Sequence, residues 1–93
     1  MTALAGYDRL EAEGAYRADP AAAEEPVLLT FGDAALTIMR FDETPLDHWP
    51  LASLRRVADP RPGLAVAPDA EAPERLHVAD PDMVAAIRKV ARK

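Results

Sequence analysis

Hydrophobic positions change period twice along this chain of 93 residues. Near the start, Leu4, Tyr7 and Leu10 recur at i, i+3 and i+6, with Asp8, Arg9, Glu11 and Glu13 on other faces. That spacing predicts a short helix over residues 3–14, ended by Gly14, which takes a left-handed conformation without a Cβ clash. Residues 15–25 hold Pro20 and a run of small side chains and are expected to form a linker. From Pro26 the period falls to two. Val27, Leu29 and Phe31 alternate with Leu28 and Thr30, which predicts a strand with one buried face. Gly32-Asp33 makes a turn, and residues 35–41 (ALTIMRF) pair back as a hairpin. Leu36 and Ile38 share a face there while Met39 and Phe41 run out of phase, so a bulge or a half-covered outer face is expected.

Residues 46–51 (LDHWPL) read as a further strand, with Pro50 confining it to an edge or a bend. Leu54 and Val57 continue as a short strand or a helical turn. Residues 63–67 (GLAVA) and 75–79 (RLHVA) read as the last strands, Leu76 and Val78 inward and His77 outward. The period then returns to 3.6. Asp80 is a helix cap, Pro81 sits where its missing N–H costs nothing, and Asp82 suits the positive helix end. Met83, Val84, Ile87, Val90 and Ala91 form a core-facing stripe, followed by Arg88, Lys89, Arg92 and Lys93 at the end where cations are favoured.

The expected fold is therefore α+β: a short N-terminal helix, a bent antiparallel sheet or small open barrel of five to six strands, and a C-terminal amphipathic helix packed on it. Residues 1–25 are expected to be helix and linker, and 26–93 the α+β body of a single compact domain. The composition agrees with one core. Of the 49% hydrophobic residues, 20 are alanine and 26 are larger.

Charge narrows the functional classes. The net charge is −5, which lacks the basic footprint of a nucleic-acid binder. Absence of cysteine removes disulfides, thiolate metal sites and thiol nucleophiles. The N-terminal sequence has no cationic leader followed by an apolar block, and no apolar run is long enough for a bilayer, so a cytoplasmic location is expected. The charge is also uneven: residues 1–47 carry 10 acids and 3 bases (−7), and residues 48–93 carry 6 acids and 8 bases (+2).

Candidate chemistry is sparse. His48 and His77, even with Asp47 or Glu43, match no metal-ligand spacing. Ser53 stands in no nucleophile elbow and reads as a turn residue. The four glycines are too scattered for a phosphate loop. Pairs such as Glu24-Glu25 and Asp42-Glu43 fall in turns, where solvation denies them the raised pKa that acid catalysis needs. No enzyme activity, metal or cofactor is expected. Arg55, Arg56 and Arg61 follow Trp49 closely, and an aromatic ring with guanidinium groups on one face would form a recognition patch.

The order of strands around Trp49-Pro50-Leu51-Ala52-Ser53-Leu54-Arg55-Arg56-Val57, with more short strands and a closing amphipathic helix, resembles the pleckstrin-homology-like superfold in its bacterial form. The resemblance covers roughly residues 26–93 and implies binding of lipid headgroups, peptides or proteins rather than catalysis. Lipid-binding members place Lys and Arg around the first hairpin turn. Here that turn is expected at Gly32-Asp33, and no lysine precedes Lys89. The expectation is thus a non-catalytic interaction or regulatory module that self-associates or binds a protein, including as the soluble part of a larger membrane-associated protein. Its candidate binding residues are Trp49, Arg55, Arg56 and Arg61. The alternative is an anionic-membrane module using Arg88, Lys89, Arg92 and Lys93 beside Arg55 and Arg56. A second alternative is a small-ligand-binding domain.

Overall fold

The computed structural model describes residues 10–92. These residues form one curled antiparallel sheet of seven strands, a half-barrel, with a single C-terminal helix. The strands are β1 (Leu10–Arg17), β2 (Glu25–Phe31), β3 (Ala35–Met39), β4 (Pro45–Pro50), β5 (Arg55–Val57), β6 (Leu64–Ala67) and β7 (Arg75–Val78). Their order across the sheet is β4-β3-β2-β1-β7-β6-β5. Two meanders, β1 to β4 and β5 to β7, are joined where β1 pairs with β7 through Ala15 and His77, Tyr16 and Leu76, Arg17 and Arg75. The fold is α+β as expected, but two expectations are corrected.

The first correction is the N-terminal helix. Residues 10–17 are a strand, and residues 3–9 of the expected helix lie outside the described residues. Leu10 belongs to a period-two pattern: Leu10 and Ala12 pack on the core and Tyr16 is buried, while Glu11 and Glu13 are exposed. Alanine and glycine at the inner positions concealed that alternation. Gly14 is needed there, since a Cβ on it would lie 2.8 Å from Leu29 Cδ1 and 3.1 Å from the His77 carbonyl. The expected linker is accordingly split between β1, a turn and the start of β2. The second correction is the strand count, seven rather than five to six. The additional strand is β1, and the ambiguous segment after Leu54 is β5.

Val27, Leu29, Leu36, Ile38, Trp49, Val66, Leu76 and Val78 line the inner face, all buried. The irregularity expected in residues 35–41 is present as a register shift between Ile38 and Met39 in the β3–β4 ladder. Beyond the shift Phe41 is 52% exposed.

The helix α1 (Pro81–Val90) follows its local signals closely. The Asp80 side chain accepts from the Met83 N–H at 2.9 Å, and Arg88 and Lys89 occupy the last turn. Met83 and Ile87 enter the same core as Leu51, Leu54 and the sheet. Past the helix the chain runs along β5: Arg92 N–H donates to the Leu54 carbonyl at 2.9 Å, and the Arg56 N–H donates to the Arg92 carbonyl. One sheet edge is thereby occupied. The other, β4, begins and ends with proline. Among the described residues no helix is long and apolar enough to cross a membrane.

Replacing Ile87 with alanine is expected to cost about 2–5 kcal/mol, the usual range for a buried aliphatic truncation. A change near zero in chemical denaturation would show that α1 does not brace the sheet. Gly63 has φ +110°, and a Cβ there would meet the Val78 carbonyl. Gly63→Ala is therefore expected to destabilise by more than about 1 kcal/mol, opposite to the small gain that Gly→Ala gives at compatible sites.

Candidate functional site

The expected aromatic–arginine patch is not assembled. Trp49 is 1% exposed, so its ring is inside the protein. Its Nε1–H donates to Asp47 Oδ2 at 2.9 Å, and its ring stands 6.3 Å from that of Tyr16 at 51°. Arg61 is held by carboxylates instead: Nη2 lies 2.7 Å from Asp59 Oδ2 and Nη1 2.9 Å from Glu24 Oε1. The Arg61 guanidinium lowers the pKa of both acids, chiefly through these hydrogen bonds. Arg55 and Arg56 lie on β5 with alternate orientations. Arg56 Nε donates to the Ala91 carbonyl at 3.4 Å, and Arg55 pairs with Arg92 in a parallel bridge. The structure thus brings Arg55 and Arg56 together with Arg92, while Trp49 is turned into the core and Arg61 is engaged by Asp59 and Glu24. Arg88 and Lys89 are exposed on the last helical turn. Lys93 lies outside the described residues.

A different site emerges on the outer face of the sheet's second half. Strand alternation sends Leu64 and Val66 of β6 inward and Ala65 and Ala67 outward. Register places Arg17 beside Arg75, and Ala67 beside Arg55, so β1, β7, β6 and β5 contribute Arg, Arg, Ala and Arg to one cross-strand row. The adjacent row is Ala15, His77, Ala65 and Val57. Ala65 and Ala67 are 4% and 1% exposed although they face outward. They are the floor of a trough whose walls are the longer side chains of β7 and β5.

The trough has two compartments that share Arg75 and Val57. One, of about 210 Å³, lies over Ala67 and is lined by Arg55, Arg56, Arg75 and Asp69. The other, of about 150 Å³, lies over Ala65 beside Arg17, Arg61, His77, Glu24 and Asp59. In the second, cations and acids offset each other and His77 Nε2 is 2.8 Å from the Pro62 carbonyl. The first is cationic. Its one acid among the described residues, Asp69, accepts from the Glu71 and Ala72 N–H groups at 2.9 Å. Arg75 Nη1 donates to the Ala72 and Glu74 carbonyls at 2.8 Å, which holds the guanidinium in place without neutralising it.

A polar cluster joins β4 to the segment before β7. Burial lifts the Glu74 carboxyl above its ordinary range, and its hydrogen bond to Asp47 lifts it further, with the Tyr16 hydroxyl pulling partly back. Burial also pushes Asp47 upward, but hydrogen bonds from Trp49, Glu74 and the His48 N–H outweigh it and leave its pKa lowered. The two shifts have opposite signs, so Glu74 is the member of the pair that takes up a proton first as pH falls. Burial, and then the charges of Glu74, Asp47 and Glu25, raise the Tyr16 hydroxyl. No sequence spacing announces the Asp47–Glu74 contact, because it is made across the curl of the sheet.

His48 and His77 stand on β4 and β7, with three strands between them. Ser53 Oγ donates to the Pro50 carbonyl at 3.1 Å, a turn contact.

The raised Glu74 pKa removes stability as pH climbs from the unfolded value near 4.5 through the folded one. Glu74→Gln, which keeps a donor toward Asp47 without a charge, is expected to stabilise the fold at pH 7 and to match wild type below pH 4. Urea denaturation across that pH range checks it; an equal effect of the substitution at both ends would disprove the raised Glu74 pKa. No protein-family model, no curated protein and no solved structure matches this chain.

Proposed function

We propose that this chain is a non-catalytic protein-interaction module, with the arginine-lined trough as its recognition surface. The carrying observation is the row of Arg17, Arg75 and Arg55 across β1, β7 and β5 over a floor of buried, outward-facing alanines. Arginine is the side chain most suited to such a role without an aromatic partner, since its planar fork binds carboxylates bidentately. The curled seven-stranded sheet with a C-terminal helix is compatible with the pleckstrin-homology-like architecture, and that superfold is used mainly for binding.

Two features support a protein rather than a bilayer as partner. The first hairpin loop, residues 18–24, carries Asp19 and Glu24 and no base, whereas lipid-binding members are basic there. The net charge of −5 also opposes approach to an extended anionic surface. Both sheet edges are guarded, one by the Arg92 segment and one by prolines, which favours recognition by a face over strand addition.

Arg75→Glu is expected to abolish association while leaving the melting temperature close to wild type. The measurement is sedimentation velocity for self-association, together with quantitative affinity capture by wild type against Arg75→Glu. A strict monomer at high concentration, with equal capture by both proteins, would rule the proposal out.

A further inference from the structure

Resting on that reading, we infer that the partner at this face is a second copy of the chain, docked on the outer surface of β1 about a twofold axis, with Glu11 of each copy against Arg75 of the other. Three observations carry this.

The first is the order of charges along β1. Its outward residues are Glu11, Glu13, Ala15 and Arg17 in turn, acids at one end and a cation at the other. Register sets Arg75 of β7 beside Arg17 and extends the cationic end sideways. At the rise of a strand, Glu11 and Arg17 are about 20 Å apart. That exceeds the screening length of about 8 Å in physiological salt, so the ends act as separate patches of opposite sign. Such a surface is its own complement. A twofold axis crossing β1 at the level of Gly14 exchanges position 11 with 17 and 13 with 15. Each acidic end then meets the cationic end of the other copy, and the contact is made twice.

The second is the state of those charges. Glu11, Glu13 and Arg75 are exposed, and among the described residues none of the three is in an ion pair. Arg75 Nη1 reaches only the Ala72 and Glu74 carbonyls, which orient the guanidinium without neutralising it. Arg17 and Arg61 are both engaged by Glu24. Arg75 is therefore the cation that a carboxylate of the second copy meets.

The third is the centre of the face. The outward residues flanking the axis are Glu13 and Ala15, and the methyl of Ala15 leaves room for the Glu13 side chain of the other copy. On β2, Leu28 lies beside Glu13 and Pro26 beside Ala15. The same axis sets Leu28 of one copy over Pro26 of the other. Pro26 is exposed and Leu28 half-buried, so this contact removes apolar surface from water. The sheet curls away from this face on both sides, which confines contact to β1, β2 and β7. The interface is small, and the dimer is weak and reversible.

The test is sedimentation velocity in about 0.15 M salt, which screens the mutual repulsion of two chains of charge −5 but not contacts within a few ångströms. The concentration series reaches about 1 mM, the weak end of specific association. Wild type is expected to pass from monomer to dimer along it. Glu11→Lys and Arg75→Glu are each expected to weaken dimerisation more than tenfold, because symmetry duplicates the like-charge contact. An equimolar mixture of the two variants is expected to dimerise as wild type does, since both contacts of the mixed dimer again join opposite charges. Ala15→Tyr adds bulk beside the axis without changing charge and is expected to abolish the dimer. Circular dichroism and thermal unfolding confirm that each variant is folded; should a charge variant not be, Ala15→Tyr still decides. Wild type that is monomeric throughout overturns the inference, as do variants that dimerise like wild type or a mixture that stays monomeric. Monomeric wild type that still captures a partner better than Arg75→Glu does leaves the interaction module standing and removes only the second copy as its occupant.

Discussion

The pairing of β1 with both β2 and β7 is the constraint on which the rest depends. Without it the chain would be two separate meanders, each with one apolar face and nothing to cover it. A sheet of a few strands is marginal alone, and neither half here has enough large side chains to make a core of its own. Joining them curls the inner face around Trp49, Leu29 and Leu76 and leaves a mouth that Met83 and Ile87 of α1 fill. The joint is tight because Gly14 has no side chain where Leu29 comes closest. It is also long-range, linking the start of the described chain to its last strand, so closure entropy falls on this one ladder.

Parts of this arrangement are legible in the sequence and parts are not, for identifiable reasons. The helix α1 is legible because Asp80, Pro81, the Met83–Ile87 stripe and the terminal cations all point the same way. The irregularity at Met39 is legible because its phase conflicts with Leu36 and Ile38. The strand β1 is not, because its inner positions are Ala12 and Gly14, which carry almost no hydrophobic signal, while Leu10 also fits a helical stripe. The arginine row is harder still. Arg17, Arg55 and Arg75 are distant in sequence and meet only through register. The floor residues Ala65 and Ala67 look like ordinary members of an apolar run. Trp49 misled for the opposite reason: Arg55, Arg56 and Arg61 follow it in sequence, but alternation turns it inward to Asp47 and Tyr16.

Charge asymmetry takes a definite form on the folded surface. The reversal of sign occurs along β1 itself, whose outer face passes from Glu11 and Glu13 through Ala15 to Arg17. The acidic half of the sequence thus meets the cationic half where β1 pairs with β7, at the ladder that joins the two meanders. The ion pair Arg61–Glu24 crosses this divide. It links the turn after β1 to the β5–β6 loop and limits how far the two halves can splay. Exposed pairs of this kind contribute little to stability individually, so their effect is on orientation.

The occupied edge of β5 has one further consequence. A sheet with a free edge polymerises through backbone hydrogen bonds, which are indifferent to side-chain identity and insensitive to salt. Here the Arg92 segment already holds the backbone groups of β5, and Pro45 and Pro50 interrupt those of β4. Under the proposed interaction role, association would be confined to side-chain contacts, open to tuning by single substitutions and by ionic strength. The same few backbone bonds that finish the fold thus also guard the sheet against edge-to-edge aggregation.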